Sequence, residues 1–449
     1  MTTTIFHAQV LDTPEDPFIG GELRAEECAL AVCEGIITFR GPLAQARQMF
    51  PDAPVQHVPG LLLPGLVDTH VHFPQLRIIG GLGMPLLDWL EQCALPEEAR
   101  MGEPAYAAAV AEEFLGGLIQ AGTTTALVFG AHDAGATDTL FRAAQAHGYR
   151  MTAGLVVGDI NLRPDLHTTP ERARAEAAEL IHRWHGHGKL RYAVTPRFAL
   201  SSTPELLEAC QDSLHEAPGV MMTSHVNENL AETEAVAELF PRSQGYSDVY
   251  SDFGLLSERA VLAHNVHAPV PELQRLAGTG AAVAHCPSSN SALGSALFPM
   301  RDHLQAGVPV ALGSDVGGGT GLSLFKEGLQ AYYHQQLRPD GLPLGPEHLL
   351  YLATTAGAQA LDRPEVGHLS EGMAFDAIAL EPEAHSPLAA ILRHAPDASR
   401  ALAAVFATGT SADISTVWMH GEPTPSRRPQ PTSSGRTPSE STAFDDAVQ

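Results

Sequence analysis

Short apolar runs alternate with helical stretches along most of the chain, and this alternation is the feature that most limits its fold. Strand–helix units repeated eight times predict an α/β fold, a (β/α)8 TIM-like barrel. A doubly wound sheet is the main alternative, but it would need a Gly-rich nucleotide-binding turn after the first strand, and none is there. The eight runs, each with the length and composition of a buried strand, are 61–72, 123–129, 149–159, 190–198, 220–228, 260–267, 281–289 and 309–316.

The two ends of the chain differ from the middle in their pattern of polar and apolar residues. Residues 2–59 alternate polar and apolar runs with turns and predict a small antiparallel β layer. After a predicted helix at 346–361, the runs 372–380, 401–408 and 414–420 again have β character. We therefore expect both ends to pair in a small β-sandwich beside the barrel. The predicted segments are 1–60 and 370–421 for the sandwich, 61–369 for the barrel, and 422–449, which is rich in Pro, Ser and Thr, for a disordered tail.

Charge and cysteine content narrow the class of function. The 449 residues carry a formal net charge of −26, which would repel phosphate backbones and anionic membranes. The five cysteines form no CxxC pair, which argues for reduced thiols and against a thiolate zinc site. We find neither an apolar run of transmembrane length nor a signal peptide. These features predict a cytoplasmic protein with no nucleic acid or membrane partner.

The first predicted strand ends in the sequence LVDTHVHFPQ, which carries His70 and His72. Residues two apart in a strand project from the same face, so the two imidazoles would lie side by side. Such a pair can grip one divalent cation, because imidazole is the commonest metal ligand among side chains. Two chance histidines at a strand end are the alternative, since the chain has 22.

Other chemically capable side chains stand at the ends of later predicted strands. The C-terminal strand ends of such a barrel surround its active site. Asp315 ends an apolar run and would be a costly buried carboxylate unless it is paired or bound to a metal. His225 taken alone could be a core histidine, and Arg197 could form a structural salt bridge. The full set at this rim is His70, His72, Gln75, Arg197, Phe198, His225, Glu228, His264, His285, Asn290 and Asp315.

The ligand types indicate which metal and how many ions. A nitrogen-rich set with one carboxylate suits zinc or iron rather than magnesium or calcium. Two-metal barrels commonly bridge their ions with a carbamylated lysine at the end of the fourth strand. Lys189 lies at the other end of that strand, Lys326 lies in a later helix, and Arg197 occupies the bridging position. We therefore predict one metal ion.

Three features resemble functional motifs, but we assign none of them the function that its motif suggests. His182, His185 and His187 precede the fourth strand, at the end of the barrel opposite the active site. His285 and Cys286 are neighbours in a strand and face opposite ways, so they cannot easily act together. The glycines at 317–321 lack the Lys-Ser/Thr ending of a phosphate loop and could instead let backbone pass close to a flat ligand.

Several segments resemble the amidohydrolase superfamily, and within it the branch of metal-dependent aminohydrolases. The likeness covers nearly all of residues 1–421 and is carried by PGLVDTHVHFPQ, TPRFALSST, TSHVNENLAETEAV, VLAHNVH, VAHCPSSNSALGS and LGSDVGGGTGLSLF. The resemblance implies that His70, His72, His225 and Asp315 hold the metal, most plausibly zinc, with iron as the alternative. It also implies a homodimer, since relatives are usually dimers.

The same resemblance implies the reaction and the remaining roles. His264 would hydrogen-bond or weakly ligate the attacking water, Asp315 would take its proton, and Glu228 would shuttle protons. Gln75, Arg197 and Phe198 would grip a purine, so the expected reaction is hydrolytic deamination of guanine to xanthine and ammonia. Adenine would leave Arg197 buried and unpaired, at a cost of roughly 10³-fold in rate.

Two kinds of alternative stay open on the sequence. Another aminohydrolase of the superfamily would act on 8-oxoguanine, cytosine, a triazine or an adenosine thioether. A metal-free binding scaffold is the alternative from another class, but such scaffolds characteristically lose the HxH pair that is present here. The deaminase architecture with a thiolate zinc site is excluded because it needs a CxxC pair. The position of residues 82–93 suggests a lid over the base.

Overall fold

A computed structural model of the chain describes residues 2–425. Within this range the backbone forms sixteen β-strands. They are β1 (Thr3–Asp12), β2 (Arg24–Cys33), β3 (Ile36–Gly41), β4 (Val55–Pro64), β5 (Leu66–His72), β6 (Thr123–Phe129), β7 (Arg150–Gly154), β8 (Val156–Val157), β9 (Arg191–Pro196), β10 (Met221–Val226), β11 (Ala260–His264), β12 (Ala282–His285), β13 (Val310–Leu312), β14 (Ala377–Leu380), β15 (Ile414–Met419) and β16 (Glu422–Pro425).

Seventeen α-helical segments connect these strands within the described range. They are α1 (Leu43–Met49), α2 (Leu86–Trp89), α3 (Leu95–Ala99), α4 (Pro104–Gln120), α5 (Ala134–Ala146), α6 (Pro170–Trp184), α7 (Pro204–Leu214), α8 (Leu230–Leu239), α9 (Tyr246–Asp252), α10 (Val270–Thr279), α11 (Pro287–Ala292), α12 (Met300–Ala306), α13 (Leu324–Leu337), α14 (Pro346–Ala353), α15 (Thr355–Ala360), α16 (Pro387–His394) and α17 (Ala398–Thr408). A π-helical turn at Leu90–Ala94 joins α2 to α3.

Eight parallel strands form a nearly closed barrel in the order β5-β6-β7-β9-β10-β11-β12-β13. The short strand β8 pairs with β9 outside this order. Each barrel strand overlaps one of the eight predicted apolar runs, so the predicted (β/α)8 architecture is confirmed. The strands are buried along almost their whole length, because helices cover the outside and packed side chains fill the interior.

The last and first strands of the barrel meet just beyond the end of β13. The Asp315 amide donates to the His70 carbonyl (2.8 Å), and the His72 amide donates to the Val316 carbonyl (3.2 Å). Thr69 Oγ1 also donates to the Leu312 carbonyl (2.8 Å). The contacts that close the barrel therefore place Asp315 directly beside the two histidines of β5.

The two ends of the chain form one seven-stranded sheet, in the order β16-β15-β14-β4-β1-β2-β3. This confirms that the termini pair with each other. The pairing is antiparallel except between β1 and β4, which run parallel. Phe6, Phe375 and Trp418 pack on one face of the sheet, with ring centroids 4.5 Å apart for the two phenylalanines and 5.6 Å apart for Phe6 and Trp418.

The predicted first strand, 61–72, is two strands that belong to different sheets. Residues 61–64 end β4 of the terminal sheet, and the barrel begins at Leu66 in β5. The chain changes sheet at Gly65, whose amide donates to the Asp376 carbonyl (2.9 Å). A side chain at Gly65 would clash with Thr124, so this crossing needs glycine. The predicted segment boundary at residue 60 consequently falls inside a strand.

Two further expectations from the sequence are wrong. Residues 401–408, predicted as β, lie in helix α17, which Asp397 caps by accepting the Arg400 amide (2.8 Å). The Ala-rich run there has a high helix propensity that outweighs its apolar texture. The predicted helix 346–361 is two helices, α14 and α15, which meet at Thr354.

The predicted tail begins later than expected. Residues 422–425 form β16, which pairs with β15, so they belong to the terminal sheet. The rest of the predicted disordered tail, 426–449, lies outside the described residues. No helix within residues 2–425 is long and apolar enough to cross a membrane.

Candidate active site

His70 and His72 project from the same face of β5, as strand geometry requires. Their Nε2 atoms lie 3.1 Å apart, and both rings are buried. The Asp315 carboxylate lies against the pair, with Oδ1 3.1 Å from His70 Nε2 and 3.2 Å from His72 Nε2. The seam of the barrel thus joins two imidazoles and a carboxylate from opposite ends of the barrel sequence.

Two more histidines complete a cluster of donor atoms. His225, in β10, places its Nε2 3.2 Å from His72 Nε2. His264, at the end of β11, places its Nε2 3.7 Å from Asp315 Oδ2. Ligand atoms of His70, His225, His264 and Asp315 all lie within 4.8 Å of one another. The structure therefore brings together the four predicted metal ligands, and His264 lies at the same point.

Hydrogen bonds on the far side of two rings determine which nitrogen faces the cluster. His225 Nδ1 donates to the Arg197 carbonyl (2.5 Å). His264 Nδ1 donates to Asn290 Oδ1 (2.9 Å). With the proton on Nδ1, the Nε2 of each ring presents a lone pair to the cluster, which is the tautomer that a metal ligand or a base needs.

Burial keeps the imidazoles neutral. Desolvation lowers the pKa of His72 to about 4 and lowers the pKa values of His70 and His225. Burial would raise the pKa of Asp315, but hydrogen bonds with His70 and His72 bring it well below its usual range. Neutral imidazoles beside an ionised carboxylate are the protonation states that bind a divalent cation.

The cluster fits a metal ion on its own geometry. The Nε2 atoms of His70, His72 and His225 approach each other at 3.1 and 3.2 Å inside a buried site. Among the described residues, His264 Nε2 has no hydrogen-bond partner. Buried lone pairs that face each other are costly unless a cation or proton lies between them. These residues can therefore hold one divalent cation.

Glu228 stands beside the cluster at the start of the loop after β10. Its Oε2 lies 3.5 Å from His264 Nε2. Burial raises the pKa of Glu228 well above its usual value, and the nearby carboxylates of Glu232 and Asp315 raise it further. Glu232 in turn accepts the Glu228 amide (3.2 Å) and the hydroxyl of Tyr246 (2.5 Å), which fixes this loop. The raised pKa of Glu228 favours its protonated form, in which the carboxyl can donate a proton.

Gln75 and Arg197 reach the same cavity but are also bonded to a residue that sequence reasoning missed. Arg197 Nη1 donates to both oxygens of Glu98 (2.7 and 2.6 Å), and Gln75 Nε2 donates to Glu98 Oε1 (2.7 Å). Glu98 is buried in α3. His132 Nε2 lies 3.3 Å from its Oε2. The only sequence signal was the acidic pair Glu97-Glu98.

The cavity in front of the cluster has a mixed polar and apolar lining. Its polar lining comes from the residues described above, and Phe198 lies beside them. An apolar cover comes from Leu86, Trp89 and Leu90, which belong to the segment 82–93 suggested as a lid, together with Leu293. A flat base with polar edges fits such a cavity.

Two residues of the site have a strained backbone. His264 and Asp315 have φ values of 72° and 47°, in the left-handed region that residues other than glycine seldom adopt. Barrel closure and the hydrogen bonds described above hold both residues there. Such outliers cluster at functional sites because the surrounding structure must over-determine them.

The histidine tract before β9 and the His285-Cys286 pair, to which the sequence analysis assigned no catalytic role, lie outside the cluster. His182 is exposed and pairs with Glu216 (2.8 Å), and His185 Nδ1 accepts the Tyr192 amide (3.1 Å). The His285 ring stacks on Phe298, with centroids 4.3 Å apart, while Cys286 is buried separately.

The glycine stretch has a different task from the one expected. A Cβ at Gly317 would lie 2.6 Å from the Gln75 carbonyl oxygen. The Gly317 amide donates to Gln75 Oε1 (3.0 Å). Close backbone approach therefore serves to hold Gln75, one of the predicted substrate residues.

A (β/α)8 barrel that gathers imidazoles and a carboxylate at the C-terminal ends of its strands defines a metal-dependent hydrolase. Residues 61–424 match the model of the Amidohydrolase family. The chain belongs to this amidohydrolase family, which implies a divalent metal at the His and Asp cluster.

Individual relatives agree with this membership. The chain is 55% identical over 427 residues to a probable guanine deaminase of Deinococcus radiodurans, covering 93% of this chain and 97% of the relative. The solved structure of Escherichia coli guanine deaminase superposes with a TM-score of 0.91 at 33% identity, covering 95% of this chain and all of that one. Guanine deaminase from C. acetobutylicum with bound guanine superposes with a TM-score of 0.87 at 25% identity, covering 94% and 100%.

Proposed function

We propose that this protein hydrolyses guanine to xanthine and ammonia. The observation that carries the proposal is the convergence of the His and Asp cluster, Glu228 and the Gln75–Arg197 pair on one cavity. The names of relatives with up to 55% identity support the same substrate. The proposed substrate residues are Gln75, Arg197, Phe198, Glu228 and Asp315, and the proposed catalytic residues are Glu228, His264 and Asp315.

His70, His72, His225 and Asp315 are proposed to hold one divalent ion, and the nitrogen-rich set favours zinc, with Fe²⁺ as the alternative. When bound, this ion supplies a lowered pKa to the attacking water. The lone pairs that His225 and His264 direct into the cluster support this assignment. The absence of lysine from the end of β9, where Arg197 follows, supports a single ion.

Proton transfer falls to three side chains. Asp315 is an ionised carboxylate and can accept the proton of the water that attacks the amino-bearing carbon. His264 offers its Nε2 lone pair to the same water. Glu228, whose raised pKa favours the protonated form, can give its proton to a ring nitrogen and then relay a proton to the leaving amino group, which departs as ammonia. The balance is guanine plus water to xanthine plus ammonia.

Base recognition differs from the sequence expectation in one respect. Arg197 is buried, and Glu98 pairs with it whether or not a purine carbonyl is present. A base without that carbonyl would therefore leave only the remaining donors of Arg197 unpaired, because Nη1 keeps its bonds to Glu98, and the penalty of roughly 10³-fold or more against adenine stays a prediction. Discrimination depends on the remaining donors of Arg197 and Gln75, whose positions Glu98 and Gly317 fix.

Turnover of guanine by the metal-loaded protein tests the proposal. Ammonia release and xanthine formation should appear in equal amounts. Parallel assays with 8-oxoguanine, cytosine, a triazine and an adenosine thioether would identify a different aminohydrolase if one of them is preferred. A fully metal-loaded protein with no turnover of guanine contradicts the proposal.

We also propose a homodimer and a cytoplasmic location. A homodimer follows from the resemblance to the superfamily, and a cytoplasmic location follows from the cysteine content and the acidic composition. Sedimentation of the purified protein tests the first of these.

A further inference from the structure

Glu98 occupies a place that the proposed reaction does not yet use. It lies behind Arg197 and Gln75 and is not among the residues that line the cavity. Its two oxygens accept bonds from both of these side chains, from positions 99 and 23 residues away in the sequence. The Glu98 and Arg197 side chains are 2% and 3% exposed. A buried ion pair of this kind fixes the position of both side chains and cancels their charges.

The charge of Arg197 matters because this guanidinium is the only arginine or lysine group that faces the cavity among the described residues. Burial would raise the pKa of Glu98, but the guanidinium of Arg197 brings it well below its usual range, so the carboxylate is ionised. Burial lowers the pKa of His132, the other neighbour of Glu98, so this histidine is neutral. Arg197 and Glu98 therefore form a pair with no net charge.

We infer that Glu98 is a positioning residue that makes the cavity selective for neutral purines over anionic ones. It acts through Arg197 and Gln75, which present hydrogen-bond donors to the base while the guanidinium charge is already satisfied. An arginine without such a partner would attract any anion that fits the cavity.

This selectivity has a consequence for the reaction and rests on the proposed function. Deamination replaces an amino group by a carbonyl, and xanthine loses a ring proton more readily than guanine does. A cavity whose arginine is neutralised binds the neutral substrate and gains nothing from the anionic product. Glu98 would thus favour release of xanthine once xanthine has lost its ring proton.

Xanthine affinity measured below and above the pH at which xanthine ionises tests the inference in the metal-loaded enzyme. In the native protein the affinity should fall as xanthine ionises. Glu98→Gln keeps the shape but removes the charge, and it should shift the ratio of anionic to neutral affinity toward the anion by about tenfold or more. The KM for guanine should rise more than kcat falls, because Arg197 and Gln75 lose their fixed partner.

Glu97→Gln is the matched control. Glu97 is the preceding buried carboxylate of α3, and it bonds Tyr106 (2.5 Å) and Arg100 (2.9 Å) rather than the cavity residues. The ratio of anionic to neutral xanthine affinity in the Glu97→Gln variant should equal the ratio in the native protein. Glu98→Asp retains the charge and should keep the native ratio, whereas a purely structural role predicts equal losses for both forms of xanthine.

Arg197→Gln tests the inference independently if Glu98→Gln does not fold. This variant leaves the negative charge of Glu98 unbalanced. The ratio of anionic to neutral xanthine affinity should therefore fall, because the remaining carboxylate repels the anion. The double variant Glu98→Gln with Arg197→Gln should return the ratio toward the native value. An unchanged ratio in the folded single variants overturns the inference, whereas lack of guanine turnover by the native protein overturns only the proposed function.

Discussion

His72 and His225 are 153 residues apart in the chain, and their Nε2 atoms lie 3.2 Å apart. Their rings are stacked with an interplanar angle of 19°. Both rings are uncharged at neutral pH, because burial depresses both pKa values. Two ring nitrogens that face each other at this distance in a buried site need a cation or a proton between them, and the first prediction tests the cation.

Replacing His225 by Ala should remove the metal. We expect affinity for the ion to fall by more than about 100-fold, since a direct ligand is worth more than a group bonded behind one. Metal content after dialysis measures this. His182→Ala is the control, because His182 lies at the surface, outside the metal cluster, and pairs with Glu216. A His225 variant that keeps stoichiometric metal would contradict the ligand assignment.

Glu228→Gln should separate chemistry from metal binding. The amide keeps the size of the side chain but cannot transfer the proton, so kcat should fall by about 10² to 10⁴ while the metal stays bound. Guanine turnover and metal content are measured together. Glu234→Gln, an exposed change in helix α8, which follows the Glu228 loop, should leave both unchanged. Near-native turnover by the Glu228 variant would remove this residue from the mechanism.

Asn290→Leu should lower activity through His264. The leucine cannot accept the Nδ1 proton, so the tautomer that offers Nε2 to the water is no longer favoured. We expect kcat to fall by about 10- to 100-fold, the range for loss of a group that orients a metal-site histidine. Asn290→Asp keeps an acceptor and should retain more activity than the leucine variant. Equal activity in the two variants would show that the hydrogen bond is not needed.

Trp89→Ala should weaken substrate binding. Trp89 is buried and covers the cavity, so its loss admits water and removes contact area for the base. We expect KM for guanine to rise by about tenfold, from the loss of about 1–3 kcal/mol of apolar contact. Leu87→Ala in the same helix is the control, because Leu87 is 39% exposed and does not line the cavity. Matching KM values in the two variants would argue against a covering role for α2.

Glu327→Gln should change the pH dependence of stability. Burial raises the pKa of Glu327 from 4.5 to about 8, and its Oε2 accepts the Ser288 amide (2.9 Å). Because the folded pKa lies above the unfolded value, the stabilisation is complete below about pH 4.5 and is lost as the pH rises through about 8. Urea unfolding should show a loss of about 1–2 kcal/mol between about pH 6 and about pH 8 in the native protein.

The Glu327→Gln variant mimics the protonated acid and should have a flatter profile over the same range. Asp68, also buried and with a pKa raised to about 7, remains in both proteins and gives a common background slope. Parallel profiles for the variant and the native protein would show that Glu327 is already ionised in the folded state.

The barrel could be predicted because its signals are local. Each strand is a short apolar run, and strand ends in such a barrel share one rim, so residues such as His225 and Asp315 could be placed together without knowing any contact. Local apolar runs did not predict that the chain changes sheet at Gly65, or that residues 398–408 form a helix. Apolar texture alone does not distinguish two consecutive strands from one, or an Ala-rich helix from a strand.

The sequence by itself determined the architecture and the identity of the side chains at the mouth of the barrel, because the periodicity and order of strands are encoded along the chain. Only the tertiary structure decided how these side chains are paired. Glu98 reaches Arg197 across 99 residues, and Asn290 reaches His264 across 26. These contacts depend on the paths of loops and short helices, which no period in the sequence records, and they determine which charges and lone pairs the cavity presents.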